Sequence, residues 1–100
     1  MRFFGLKNCD TCRKALKALA EDGISPQIVD VRADGVSESD LRMFLAAFGE
    51  DVINRRSTTW RGLDEEERGR DALELLKQYP TLMKRPVIEA DDGSLTIGLP

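Results

Sequence analysis

Met1-Arg2-Phe3-Phe4-Gly5-Leu6-Lys7-Asn8-Cys9-Asp10-Thr11-Cys12 opens the chain, and its reading decides the architecture. Phe3, Phe4 and Leu6 form a short apolar run ended by polar residues, the pattern of a buried strand. Lys7-Asn8 is a loop. From about Cys9 to Asp22 the apolar residues Cys12, Ala15, Leu16, Leu19 and Ala20 recur at helical spacing, and Gly23 stands where a C-terminal cap belongs. Ile24 to Val31 carries Ile28 and Val29 after Pro26 and reads as a second strand. These segments make a β-α-β unit. Its crossover is right-handed and its strands run parallel, so the turn after strand one lies at the carboxyl edge of a sheet, where ligand sites concentrate.

Downstream, Ser37-Glu38-Ser39-Asp40 fits a capping box ahead of Leu41, Phe44, Leu45 and Phe48, and Gly49 closes that helix. Asn54 to Trp60 reads as irregular. Asp64-Glu65-Glu66-Glu67 suits the first turn of a short helix. Asp71 with Glu74 caps another that buries Ala72, Leu75, Leu76 and Tyr79 before Pro80 ends it. Pro86-Val87-Ile88-Glu89 and Leu95-Thr96-Ile97, joined by Asp91-Asp92-Gly93-Ser94, read as a closing hairpin. The expected organisation is one α/β domain over 1–100: a β-α-β half over 1–32, a helical insertion over 37–83, and a hairpin over 84–100. Trp60 and Tyr79, the only residues of their kinds, are expected to pack in the core or between the lobes.

One hundred residues suit a single core, and 41% hydrophobic with 33% charged residues describes a globular chain without a membrane span. A net charge of −3, from 15 basic and 18 acidic residues, argues against a direct nucleic-acid binder, which needs a basic stripe to displace counterions. The absence of histidine removes imidazole catalysis and the usual imidazole metal sites, so no metal is expected. Met1 to Leu6 is too short for a secretory apolar run, and two cysteines are too few for a disulfide framework. A cytoplasmic, reducing setting is the expectation.

Cys9-Asp10-Thr11-Cys12 stands where the first strand turns into the first helix. Unpaired N–H groups and the positive end of the helix dipole stabilise an anion there, and the thiolate is the reactive form of cysteine. A free thiol of pKa near 8.5 is only about 3% ionised at pH 7, and reaching half requires about 2 kcal/mol from its surroundings. A helix terminus supplies energy of that order when partly buried. Lys7 and Arg13 add to it, and Asp10 opposes it. Cys12, three positions on, shares the face of Cys9 and continues into the apolar stripe, which suits a sheltered resolving thiol. Inert packing of both cysteines is the plain alternative. A zinc site lacks its second ligand pair.

Two basic groups stand apart from this motif: Arg55-Arg56, and Lys84-Arg85-Pro86 before the third strand. Most charged clusters are solvated surface, but guanidinium forks near Cys9 would hold an anionic substrate and favour the thiolate. Pro86 is a candidate cis-proline opening a strand at the active edge, although only about 5–6% of X–Pro bonds are cis.

Phe4-Gly5-Leu6-Lys7-Asn8-Cys9-Asp10-Thr11-Cys12-Arg13-Lys14-Ala15, Asn54-Arg55-Arg56-Ser57-Thr58-Thr59-Trp60-Arg61-Gly62-Leu63 and Tyr79-Pro80-Thr81-Leu82-Met83-Lys84-Arg85-Pro86-Val87 resemble the arsenate reductase, Spx and YffB family. The resemblance covers nearly the whole chain and is strongest to YffB-type proteins. It implies a thioredoxin-like mixed sheet with flanking helices and an inserted helical subdomain. It also implies that Cys9 matches the catalytic cysteine, Arg56 the insertion arginine with Arg55 as the other register, and Arg85-Pro86 the arginine and cis-proline before strand three.

The function this implies is a glutathione-dependent thiol reductase with Cys9 as nucleophile and Cys12 as resolving thiol. Lys7, Arg13, Arg56, Arg85 and Pro86 then bind a small anionic or glutathionylated substrate. No tightly bound cofactor is expected, glutathione or glutaredoxin is the expected reductant, and no membrane or nucleic acid takes part. Two alternatives stay open: an Spx-like redox regulator that binds RNA polymerase, and an arsenate reductase proper. Against the last, the stretch where such enzymes carry a further arginine reads Leu95-Thr96-Ile97-Gly98-Leu99-Pro100. The Cys9–Cys12 pair resembles the Spx switch. Relatives continue into a last helix where this sequence stops.

Overall fold

Strand β1 (Arg2–Gly5) occupies the middle of a four-stranded sheet because both its faces are apolar: Phe3 and Phe4 point to opposite sides and each is 1% exposed. The structure is a computed structural model describing residues 1–98, so Leu99 and Pro100 of the sequence comparison lie outside it. The sheet order is β2-β1-β3-β4 with β2 (Gln27–Asp30), β3 (Val87–Glu89) and β4 (Leu95–Ile97). β1 runs parallel to β2 and antiparallel to β3, and β3 is antiparallel to β4. This is the mixed sheet expected, with the closing hairpin in place.

Register decides what meets at the sheet's edge. Gly5 pairs with Asp30, so the carboxyl ends of β1 and β2 lie side by side; Phe4 pairs with Val87, so the start of antiparallel β3 comes to the same edge. Three chain segments therefore converge: the loop after β1, the loop after β2, and Arg85-Pro86. At the other end Arg2 and Glu89 are directly opposite and form a half-buried ion pair at 2.7 Å.

Helix α1 (Asp10–Glu21) lays Cys12, Ala15, Leu16 and Leu19 against Phe3 and Ile88. It ends at Asp22, and Gly23 takes φ +75°, a conformation that costs glycine least. The sulfur of Cys12 approaches Gly5 so closely that no side chain fits there.

The described chain divides into two units, 1–35 with the residues from Arg85 onward, and 36–84. The second is helical. Ser37 caps α2 (Glu38–Phe48) by accepting the Asp40 N–H at 3.1 Å, and Gly49 turns the chain with φ +61° into a 3-10 turn over Gly49–Val52. α2 packs on α5 (Ala72–Gln78), and Leu41, Phe44, Val52, Leu75, Leu76 and Leu82 are buried. The unit's ends are tied by an Ile53–Met83 bridge and by the Lys84 N–H donating to Val52 O at 2.7 Å.

Four expectations change here. The stretch read as irregular contains α3 (Thr58–Arg61), because Ser57 accepts the Trp60 N–H at 3.1 Å and so starts a helical turn that has no apolar periodicity to announce it. α4 (Glu65–Arg68) starts as expected, on an Asp64 cap, but Asp71 makes no side-chain cap bond. Leu73 rather than Ala72 is buried in α5, since a helix of barely two turns sets its buried face by its contact with α2 rather than by a sustained stripe. Neither Trp60 nor Tyr79 joins the buried core. Trp60 is half-buried with the Arg55 and Arg68 guanidinium groups 5.6 and 5.5 Å from its ring, and the Tyr79 hydroxyl donates to Glu67. Among the described residues, no helix is long and apolar enough to cross a membrane.

Candidate active site

Cys9 is the N-cap of α1, with extended backbone at φ −91° and ψ 119°. That conformation follows from the short turn before it: the Cys9 N–H donates to Leu6 O at 3.3 Å, and its carbonyl accepts the first helical bond from Arg13 N at 3.0 Å. Cys9 makes no serine-like side-chain cap bond, and the first-turn Cys12 N–H is placed instead to favour its ionised sulfur.

The two thiols titrate in opposite directions. Burial pushes Cys9 up, but the Cys12 backbone N–H, the Cys12 thiol and the hydrogen bond and charge of Arg85 outweigh it, and the net shift is down from 9.0. Burial pushes Cys12 up to about 11, with the neighbouring Cys9 thiolate adding to the effect against the opposing Leu6 hydrogen bond and Arg85 charge. Cys12 is 0% exposed and Cys9 is half-buried. At neutral pH the pair is therefore one accessible thiol with raised thiolate character and one protonated thiol behind it.

An open cleft of about 350 Å³ fronts Cys9. Lys7 and Asn8 line it from the loop after β1, Asp30 and Arg32 from the loop after β2, and Arg85 from before β3. The Arg85–Pro86 peptide is cis, and Pro86 is buried. Arg13 turns elsewhere: its Nε donates to Lys7 O at 3.0 Å, and its guanidinium lies 3.7 Å from the exposed Asp10 carboxylate. The cation acting on Cys9 is thus Arg85, and Arg13 ties down the loop ahead of it.

Arg56 belongs to the second unit. Its N–H donates to Asn54 Oδ1 at 3.0 Å, and within that unit it lines a cleft with Arg55, Asn54 and Lys84. Arg55 pairs with Glu50 at 3.5 Å. Among the described residues, no group of three or more Cys, Asp or Glu side chains is arranged to hold a metal ion.

Asp30 and Arg32 escaped the sequence reading. The signal was present in the β-α-β unit: residues just past the carboxyl end of the second parallel strand lie beside those past the first.

A family model described as the ArsC family matches residues 4–100. The chain belongs to the ArsC family. An uncharacterized protein from Haemophilus influenzae is 46% identical over 100 residues, covering 95% of this chain and 87% of its own. The global transcriptional regulator Spx of Streptococcus pyogenes is 30% identical over 97 residues, covering 91% and 72%. Among solved structures, the YffB protein superposes with a TM-score of 0.90 at 33% identity, covering 99% of this chain and 90% of its own. An arsenate reductase (ArsC) related protein from Brucella melitensis does so at 0.77 and 38%, covering 99% and 86%. The ArsC-family fold is thioredoxin-like, and its members include both arsenate reductase-related proteins and Spx regulators.

Proposed function

We propose that this ArsC-family chain is a thiol-disulfide oxidoreductase that reduces glutathionylated or small anionic substrates at the expense of glutathione. The observation that carries this reading is the asymmetry of the pair: Cys9 lowered and facing the cleft, Cys12 raised and buried behind it. No tightly bound cofactor takes part, and the setting is the reducing cytoplasm.

The Cys9 thiolate attacks the glutathione sulfur of a mixed disulfide. A Cys9–glutathione disulfide forms, and the substrate leaves as a thiolate that takes a proton from water. Once Cys9 is in a disulfide its charge no longer opposes ionisation of Cys12. Cys12 then loses its proton, attacks Cys9, and expels glutathione as thiolate, leaving a Cys9–Cys12 disulfide. Two glutathione thiols, or glutaredoxin in their place, return the two electrons, and the former leave as glutathione disulfide. Arg85 favours the thiolate at rest, Lys7 attracts anions to the cleft mouth, and Arg13 holds the Lys7 loop. Arg56 is assigned to substrate contact on the family resemblance, whereas the Pro86 side chain is buried and offers no surface to a substrate.

Turnover of a glutathionylated peptide tests the reading. Cys9→Ser abolishes it, whereas Cys12→Ser slows only the resolving step; turnover that survives Cys9→Ser defeats the proposal. The Spx relative supports a second reading, in which Cys9–Cys12 oxidation alters a surface that binds RNA polymerase. Pull-down of polymerase by the reduced and oxidised chain, with neither peptide nor arsenate turned over, would select it. Arsenate turnover coupled to glutathione would select an arsenate reductase instead.

A further inference from the structure

The loop after β2 brings to the Cys9 cleft a charge arrangement that thiol exchange itself does not require. Asp30 Oδ1 accepts the Arg32 and Ala33 N–H groups, each at 2.9 Å, and the Asp30 N–H donates to Asp34 Oδ2 at 2.9 Å. The Val31 N–H donates to Gly5 O at 3.0 Å, which ties this loop to the end of β1. The Asp30 carboxyl is consequently fixed in place. The Ala33 hydrogen bond is the main cause holding it below the usual carboxylate range, with Lys7 and Arg32 charges contributing. Among the described residues, its Oδ2 accepts no hydrogen bond.

Lys7 and Arg32 face the same cleft from the two loops, and both are exposed. Among the described residues, neither side chain donates a hydrogen bond or forms an ion pair, with Asp30 or otherwise. A fixed anion therefore stands among cations that sense it without neutralising it.

We infer that Arg32, with Lys7 and Asp30, is a zwitterion-reading element: the thiol that Cys9 exchanges with carries an α-amino-acid end, its ammonium to Asp30 Oδ2 and its carboxylate to Arg32 or Lys7. A guanidinium accepts a carboxylate in two-point fashion, which gives orientation as well as attraction. Loop bonds that pre-form the site reduce the ordering cost of binding. With Cys9 ionised, the cleft holds three cations (Lys7, Arg32, Arg85) and two anions (Cys9, Asp30). A ligand with two carboxylates and one ammonium, the charge pattern of glutathione, complements that field, whereas an uncharged thiol gains nothing from it. This inference rests on the thiol-exchange reading and adds the residues that select the thiol.

The test compares one peptide carried as two mixed disulfides, one with glutathione and one with hydroxyethanethiol. In Arg32→Ala the ratio of kcat/KM for the first over the second falls about tenfold, chiefly through KM, and Arg32→Lys recovers part of it. Asp30→Asn keeps an oxygen to accept the loop N–H groups, and erodes the preference for glutathione over its des-amino analogue. A ratio that stays within about twofold in both Arg32→Ala and Asp30→Asn overturns the inference while leaving thiol exchange standing. Should the wild-type chain turn over neither disulfide, the thiol-exchange reading fails separately, and titration of S-methylglutathione decides this one. Binding weakened about tenfold by Arg32→Ala upholds it, and equal binding or none overturns it.

Discussion

Gly5 and Cys12 meet so closely that a β-carbon on Gly5 would stand 2.7 Å from the Cys12 sulfur and 2.8 Å from the Phe3 ring. Neither neighbour is the far end of a flexible chain. Gly5→Ala gains about 0.4–1 kcal/mol from a less disordered unfolded state, but overpacking of this kind costs about 1–3 kcal/mol. The expected net is destabilisation, read as a lower denaturant midpoint with the slope unchanged. Cys12→Ala in the same chain should relieve part of it, and a double-mutant cycle measures the coupling.

Cys9 should be the only thiol alkylated near neutral pH. Its reaction with iodoacetamide rises to half its plateau below pH 9.0, while Cys12 stays unmodified until the pH approaches 11. Arg85→Ala moves the Cys9 midpoint up, and Arg85→Lys retains part of the charge effect. Peptide mapping of the alkylated chain resolves the two sites; a Cys9 midpoint unmoved in Arg85→Ala contradicts the assignment.

Stability should fall in alkaline solution through Cys12. Its folded pKa of about 11 lies above the unfolded value of 9.0, so the folded state holds this proton longer. The contribution is fully present below pH 9 and is lost as pH rises toward 11, on the order of 2–3 kcal/mol in all. Cys9 has the opposite sign: its lowered folded pKa adds stability that is present above 9.0 and lost as pH falls through the folded value. The difference in denaturation free energy between Cys9→Ser and Cys9→Ser/Cys12→Ala, followed from pH 8 to about 11, reads the burial-driven part of the Cys12 contribution without the Cys9 titration; a pH-independent difference would falsify it.

Ser37 and Asp71 occupy equivalent N-cap positions, but only Ser37 accepts a first-turn N–H. Ser37→Ala should cost about 1 kcal/mol. Asp71→Ala removes a helix-dipole interaction worth about 0.3–0.5 kcal/mol at an exposed site. Equal losses in urea denaturation contradict this difference.

Much of the architecture was legible in the order of residues because the patterns involved are local. Phe3-Phe4 before a polar loop, the helical stripe from Cys12 to Leu19, Gly23 after it, and the turn Asp91-Asp92-Gly93-Ser94 each specify an element within a few residues. The α3 turn was not legible, since a four-residue helix started by a Ser57 cap has no periodicity to show. The burial of Leu73 was missed for a related reason: which face of a two-turn helix is covered depends on α2, which is remote in sequence.

For the candidate site, Cys9 and Cys12 could be read directly, because a helix start and the spacing of a helical turn are properties of adjacent residues. That Arg85 rather than Arg13 is the cation on Cys9, and that Asp30 and Arg32 share the cleft with it, was decided by strand register. Parallel pairing of β1 with β2 and antiparallel pairing of β1 with β3 bring residues from three distant segments to one edge. Sequence neighbours such as Arg13 are drawn away by hydrogen bonds to their own loop. Electrostatic effects on a thiol fall off steeply with distance and solvent exposure, so the partner depends on that three-dimensional placement and not on separation along the chain.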